Sequence, residues 1–207
     1  MRIKRNRHER GSMMIEFVLV ASTFMLPVLL GTFTYGFAMI RSVEALQLTR
    51  DVGHMYSRGV DFSKQANQDL IATQLAQGLN IVSNSGNVTG GSTGNGIIVL
   101  STFTKIGVQC PTCNNSGHVV VMRRIVIGNN GMFTTQYGSP SGSLIDPNSG
   151  DIKNYSSDAT ARADNFSNLL TLNDGEIAYL AESYFKSPDL AVPGLYNGLA
   201  SYQNAIF

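Results

Sequence analysis

The pattern of polar and apolar positions divides the chain sharply near its start. Met1 to Arg10 is mostly polar and basic, whereas Phe17 to Ile40 is a run of 24 residues without a charge. As a helix that run spans about 36 Å, against roughly 30 Å of bilayer hydrocarbon, so it predicts a transmembrane segment over 17–40. Within it, Pro27 has no N–H to donate to the Thr23 carbonyl, which predicts a bend or loosened turn, with the Ser22 and Thr23 hydroxyls close by. Thr32 and Gly36, with Gly31 beside them, form a small-residue face on which helices can approach. After Arg41 the uniform run becomes a stripe: Ala45, Leu48, Val52 and Met55 recur at helical spacing, which extends the helix to about residue 58, with Gly59 as its stop. A second helix is predicted from Asp61, an N-cap candidate, to Gly78, with Phe62, Ala66, Leu70 and Leu79 on its apolar side.

The rest of the chain alternates turn-rich and strand-like stretches. Residues 83–96 read SNSGNVTGGSTGNG and predict a loop. Strands are expected at Ile97–Lys105, Val119–Ile127 and Met132–Tyr137, with Asn129-Asn130-Gly131 as a hairpin turn between the last two. Val119, Val121, Ile125 and Ile127 would face a core, interrupted at Arg123. Residues 139–157 are turn-rich again. Ala159, Ala163, Phe166 and Leu170 then suggest a short helix. Asp174-Gly175 marks a turn into a final strand carrying Ile177, Tyr179, Ala181 and Phe185 on one side, although Glu176 to Lys186 holds no helix breaker. Past Pro188 and Pro193, the spacing of Leu195, Leu199, Tyr202 and Ile206 suggests a terminal amphipathic helix. The expected fold is α+β: a long N-terminal helix followed by a head, 59–207, with a small antiparallel sheet and short helices.

Charge gives this arrangement a direction. Arg2, Lys4, Arg5, Arg7 and Arg10 against Glu9 place the N-terminus in the cytoplasm by the positive-inside tendency, and the head on the far side. The net charge of +1 conceals this asymmetry: residues 12–207 hold ten basic and thirteen acidic residues. Such a surface argues against a nucleic-acid partner. A secretory signal is a poor match, because its apolar core would be shorter and would end in a small-x-small site, which Tyr35 to Ile40 lacks. With 207 residues, the chain accommodates one membrane segment and one modest domain.

Glu16 breaks the apolar pattern. An acid at mid-membrane costs near 3 kcal/mol and usually has a partner. One reading puts Glu16 at headgroup level, paired with Arg10 or water. Another makes residues 1–11 a basic leader, cleaved between Gly11 and Ser12, so that the new Ser12 amine lies about 6 Å from the level of Glu16 along the helix. Glu16 would then meet the amine of a staggered neighbouring subunit. The series Gly11, four residues, Glu16, Phe17 and a long apolar helix resembles the processing site of type IV pilins and pseudopilins. Together with Arg50-Asp51-Val52-Gly53-His54-Met55-Tyr56, it is similar to the TadE-like minor pilins of tight-adherence systems. The resemblance covers about 50 residues. It implies cleavage by a prepilin peptidase, a mature helix over 12–58, and Glu16 and Phe17 as assembly determinants. The implied partners are other pilin or pseudopilin subunits and the inner-membrane assembly platform. The implied location is the inner membrane with the head periplasmic, or an extracellular pilus.

Cys110-Pro111-Thr112-Cys113 is the one constellation with overt chemistry. In a loop outside the cytoplasm it favours a disulfide. A redox pair would need a helix N-terminus to lower a thiol pKa, and zinc would need further ligands, for which His118 is the nearest candidate. His8, His54 and His118 are scattered, and no serine-hydrolase elbow or carboxylate pair stands out. The glycine-rich 83–96 loop lacks the Gly-Lys-Ser/Thr of a phosphate-binding loop. No cofactor, metal or catalytic set is expected. The rival readings are an unprocessed single-pass anchor carrying an extracytoplasmic binding domain, and a membrane-tethered thiol oxidoreductase.

Overall fold

The structure of the chain, a computed structural model, describes residues 9–187 and 199–207, with side chains over 13–187 and 200–207. Most of the expected leader, together with Pro188, Pro193 and Leu195, lies outside the described residues. The chain is α+β and divides into two compact units, residues 1–40 and 41–207.

In the first unit, α1 (Glu9–Val20) leads through a π-helical turn, Ala21–Met25, into α2 (Leu26–Ser57). The wider turn sits just before Pro27. There the Leu26 N–H bonds to the carbonyl of Ala21, five residues back, so the ladder loosens where proline cannot donate. The Ser22 hydroxyl donates to the Leu19 carbonyl. Among the described residues, one helix is long and apolar enough to cross a membrane, and this is it.

The second unit begins within α2. Its residues Ala45, Leu48, Val52 and Tyr56 are buried, and Met55 is half-buried against them. The helix ends in a Schellman arrangement: Val60 N–H bonds to the Met55 carbonyl and Gly59 N–H to that of Tyr56, with Gly59 at φ +89°. The second helix is shorter than its pattern suggests. Only α3 (Gln65–Leu70) and a π-helical turn, Ile71–Leu75, are helical, capped by Lys64 rather than Asp61. Asp61 instead accepts from the N–H and hydroxyl of Ser63 in the preceding turn. The buried side is Gln68, Ile71 and Ala76, while Ala66 is exposed.

The sheet has five strands in the order β1-β3-β2-β4-β5, where β1 is Thr89–Gly91, β2 Gly96–Lys105, β3 Val119–Asn129, β4 Ile177–Ser187 and β5 Leu199–Ile206. It is mixed rather than purely antiparallel, because β1 runs parallel to β3. Three expectations are corrected here. Residues 132–137 form no strand, since the free edge of β3 is taken by β1 and by single bridges from Arg162 and Asp151. The tail over 199–206 is a strand rather than a helix, paired along its length with β4. The helix expected over 159–170 is two short 3-10 turns, Ala159–Ala161 and Asp164–Asn168.

A bulge decides where the β3 side chains go. Phe103 pairs with Val121 but Thr102 pairs with Arg123, so Met122 is the extra residue. The odd-numbered series therefore changes face. Val119 and Val121 join Phe103, Phe166 and Leu180 on one side, whereas Ile125 and Ile127 join Ile98, Leu100, Phe185 and the α2 stripe on the other. Both faces of the sheet are thus covered.

Candidate functional site

The predicted site residues fall into separate units. Gly11 and Ser12 are helical backbone within α1, and Glu16 and Phe17 lie on the exposed surface of the same helix. The surrounding apolar side chains are exposed as well: Phe17 is 67% accessible and Phe33 59%. Gly31 and Gly36 have open space where a Cβ would project. Over residues 13–40 this unit therefore offers an apolar rod with Glu16 as its one acid. Burying such side chains in lipid or protein is worth about 1.5–3 kcal/mol each.

In the second unit Cys110 and Cys113 are joined by a disulfide in the loop between β2 and β3. The loop is held from within by Asn115, which is fully buried. Its amide donates to the carbonyls of Tyr155 and Asp158 and accepts from Arg162 Nε at 2.7 Å. His118 Nδ1 lies 2.9 Å from Asp164 Oδ2, remote in role from the cysteines, and among the described residues no three His, Cys, Asp or Glu side chains group as a metal site. His54 packs against Phe207 with the rings tilted and their centroids 4.4 Å apart.

An open cleft of about 390 Å³ lies beside the C-terminal end of α2, lined by Tyr56, Tyr155, Tyr179, Met122, Ile152 and Arg123 among others. Several of its polar groups are engaged with one another or with the walls. The Tyr56 hydroxyl meets Thr102 Oγ1 at 2.7 Å, and Arg123 donates to Asp61 at 3.0 Å and to the Ser149 carbonyl at 2.8 Å. Burial pushes the Tyr56 phenol up, while hydrogen bonds from Ser63, then Arg123, hold Asp61 below the usual carboxylate range. These contacts hold the cleft's walls to one another.

The sequence reading missed a buried polar network on the other face of the sheet. Arg124 is 7% exposed and donates to Ser101 Oγ and to the carbonyls of Tyr137 and Gly138. Glu182, fully buried, accepts from the hydroxyls of Thr135 and Tyr202. Burial lowers the Arg124 pKa to about 10 and raises that of Glu182. The network pins the strandless 133–138 segment over the sheet, helped by Phe133 stacking on Tyr184. Its sequence signal was charge inside two strongly apolar runs, two arginines in VVVMRRIVI and one glutamate in IAYLAESYF.

Comparison of the chain with family models, with curated proteins and with solved structures finds no match in any of the three.

Proposed function

We propose that the chain is a non-enzymatic minor pilin or pseudopilin of a tight-adherence type, built to enter a filament through its N-terminal helix. The observation that carries this reading is the exposed apolar stretch over residues 13–40, whose single acid is Glu16, five positions after Gly11. In this reading a prepilin peptidase cuts between Gly11 and Ser12 on the cytoplasmic side, and the head lies in the periplasm or on the pilus. Glu16, next to Phe17, meets the new amine of a neighbouring subunit. Two unit charges about 4 Å apart attract by about 4 kcal/mol at an effective dielectric of 20, before desolvation is subtracted, which is enough to favour one register. Apolar burial between neighbouring helices supplies the cohesion.

The intact mass of the membrane-extracted protein tests the processing step. A chain starting at Ser12 is expected; a chain still starting at Met1 makes it a simple anchor. Glu16→Ala tests assembly, and the expected result is a cleaved, stable protein that is not recovered in sheared filaments. Normal incorporation of that variant would refute the register role.

A further inference from the structure

Residues 132–138 lie over one face of the sheet without joining it. Glycines bound the segment, Gly131 just before it and Gly138 at its end. Among the described residues, no backbone–backbone hydrogen bond involves 133–138, so the segment is held by side chains. Phe133 lies nearly parallel to Tyr184, with ring centroids 5.8 Å apart, and tilts against Tyr202 at 5.2 Å. Arg124 donates to the carbonyls of Tyr137 and Gly138, and Asn165 to that of Gln136. Glu182 fastens the centre. The Thr135 hydroxyl donates to its carboxylate and accepts from the Tyr137 N–H at 3.2 Å.

Glu182 is fully buried, and among the described residues no ion pair reaches it. The titratable groups around it are Arg124 on β3, Tyr184 on β4, Tyr202 on β5 and Tyr137 in the segment itself. Arg124 spends its bonds on Ser101 and the two carbonyls instead. A buried carboxylate without an ion pair either keeps a proton or finds water. The sheet beneath cannot part cheaply, because β4 is paired on both sides by β2 and β5. The segment above it can, since a stretch tied by a few side-chain contacts opens at lower free energy than a strand ladder. We infer that residues 132–138 are a latch, closed over Glu182 while its carboxyl keeps a proton and lifted to admit water when that proton passes to solvent. Burial holds the closed carboxyl above the ordinary range, with the Thr135 and Tyr202 hydroxyls and Arg124 opposing. In the open form, water restores the ordinary value. Between the two values the closed form binds more protons, so opening grows as pH rises, by at most about tenfold per pH unit. Lifting the latch uncovers the rings of Tyr184 and Tyr202 beside a charged carboxylate. This inference does not depend on the filament reading.

Amide hydrogen exchange of the full chain in detergent tests it. The Tyr137 amide is the reporter, and the Leu100 amide, in the central strand β2, is the reference. Rates are compared as protection factors, which remove the intrinsic pH dependence of exchange. Protection at Tyr137 is expected to lie well below that at Leu100 and to fall several-fold from about pH 5 to about pH 7. In Glu182→Gln the fall should vanish. In Tyr202→Phe, which keeps the ring but removes one donor to the carboxylate, it should move to higher pH. Protection at Tyr137 that stays flat or rises with pH in the natural chain would overturn the inference. So would the same fall in Glu182→Gln, or a fall in Tyr202→Phe that stays in place or moves to lower pH. A Tyr137 amide as protected as that of Leu100 would overturn it too, because the segment would then leave the sheet only when the head unfolds.

Discussion

Two stretches of the same helix treat leucine in opposite ways. Leu29 and Leu30 are more than half exposed, whereas Leu48 is 2% accessible and Val52 fully buried. In residues 26–40 apolar side chains stand all round the helix, and in 41–57 they form a stripe facing the sheet. Periodicity marks the part of a helix that this chain solvates itself. A helix that is apolar all round needs lipid or another protein as its solvent. The glycines divide in the same way: Gly31 and Gly36 have free space around them, while a Cβ on Gly128 would strike the carbonyl oxygen of Gly96.

The comparison is broken most strongly by removing a phenylalanine from each region. Phe166 is fully buried and stacks on Phe103 at 4.2 Å, so Phe166→Ala should cost the head about 3–5 kcal/mol. Phe33→Ala should leave the head's thermal unfolding unchanged. Near-UV circular dichroism during heating of the full chain in detergent reads both, and equal shifts would erase the distinction. A smaller effect is expected from the glycines. Gly128 has φ +99° and backbone directly in the way, so Gly128→Ala should destabilise by about 1–3 kcal/mol. Gly36→Ala should not lower head stability, and a drop in urea midpoint for Gly36→Ala matching that of Gly128→Ala would contradict this account.

The parts legible from the pattern were those governed by local rules. The α2 stripe, the Gly59 stop, β2 and the body of β3 follow from periodicity, turn chemistry and β-branched content. The bulge at Met122 was not legible, because one extra residue moves Ile125 and Ile127 to the opposite face without changing their spacing. Nor was β5: Leu199, Tyr202 and Ile206 match a helical repeat, and the pairing with β4 overrode that preference. β1 was hidden inside a glycine-rich loop for the same reason, since its place comes from β3 and not from its own residues. For the site, Glu16 and the Cys110 and Cys113 pair stood out as exceptions to their surroundings. Arg124 and Glu182 were exceptions too, but their partners are 13 to 47 residues away in the chain and became visible only in the fold.

The smallest of these effects concerns that network and separates the self-solvated head from the rod by pH. Burial makes folded Glu182 hold its proton more tightly than the unfolded chain does; hydrogen bonds from Thr135 and Tyr202 and the charge of Arg124 oppose this shift without cancelling it. Between the ordinary carboxylate value and the raised one, the folded state therefore binds more protons, and stability from this group falls as pH rises. Asp61 and Asp158 act in the opposite direction, because their folded values are depressed and their contribution is lost as pH falls through them. A pH series on the natural chain mixes these trends, and the difference between it and Glu182→Gln isolates one of them. Arg124, with a pKa of about 10, keeps its charge across the range. The stability of the natural chain relative to Glu182→Gln should be greatest near pH 4 and shrink toward neutrality, read as urea midpoints at each pH. A difference that stays flat or grows would mean that Glu182 is ionised in the fold at no cost, its hydrogen bonds and Arg124 fully offsetting burial.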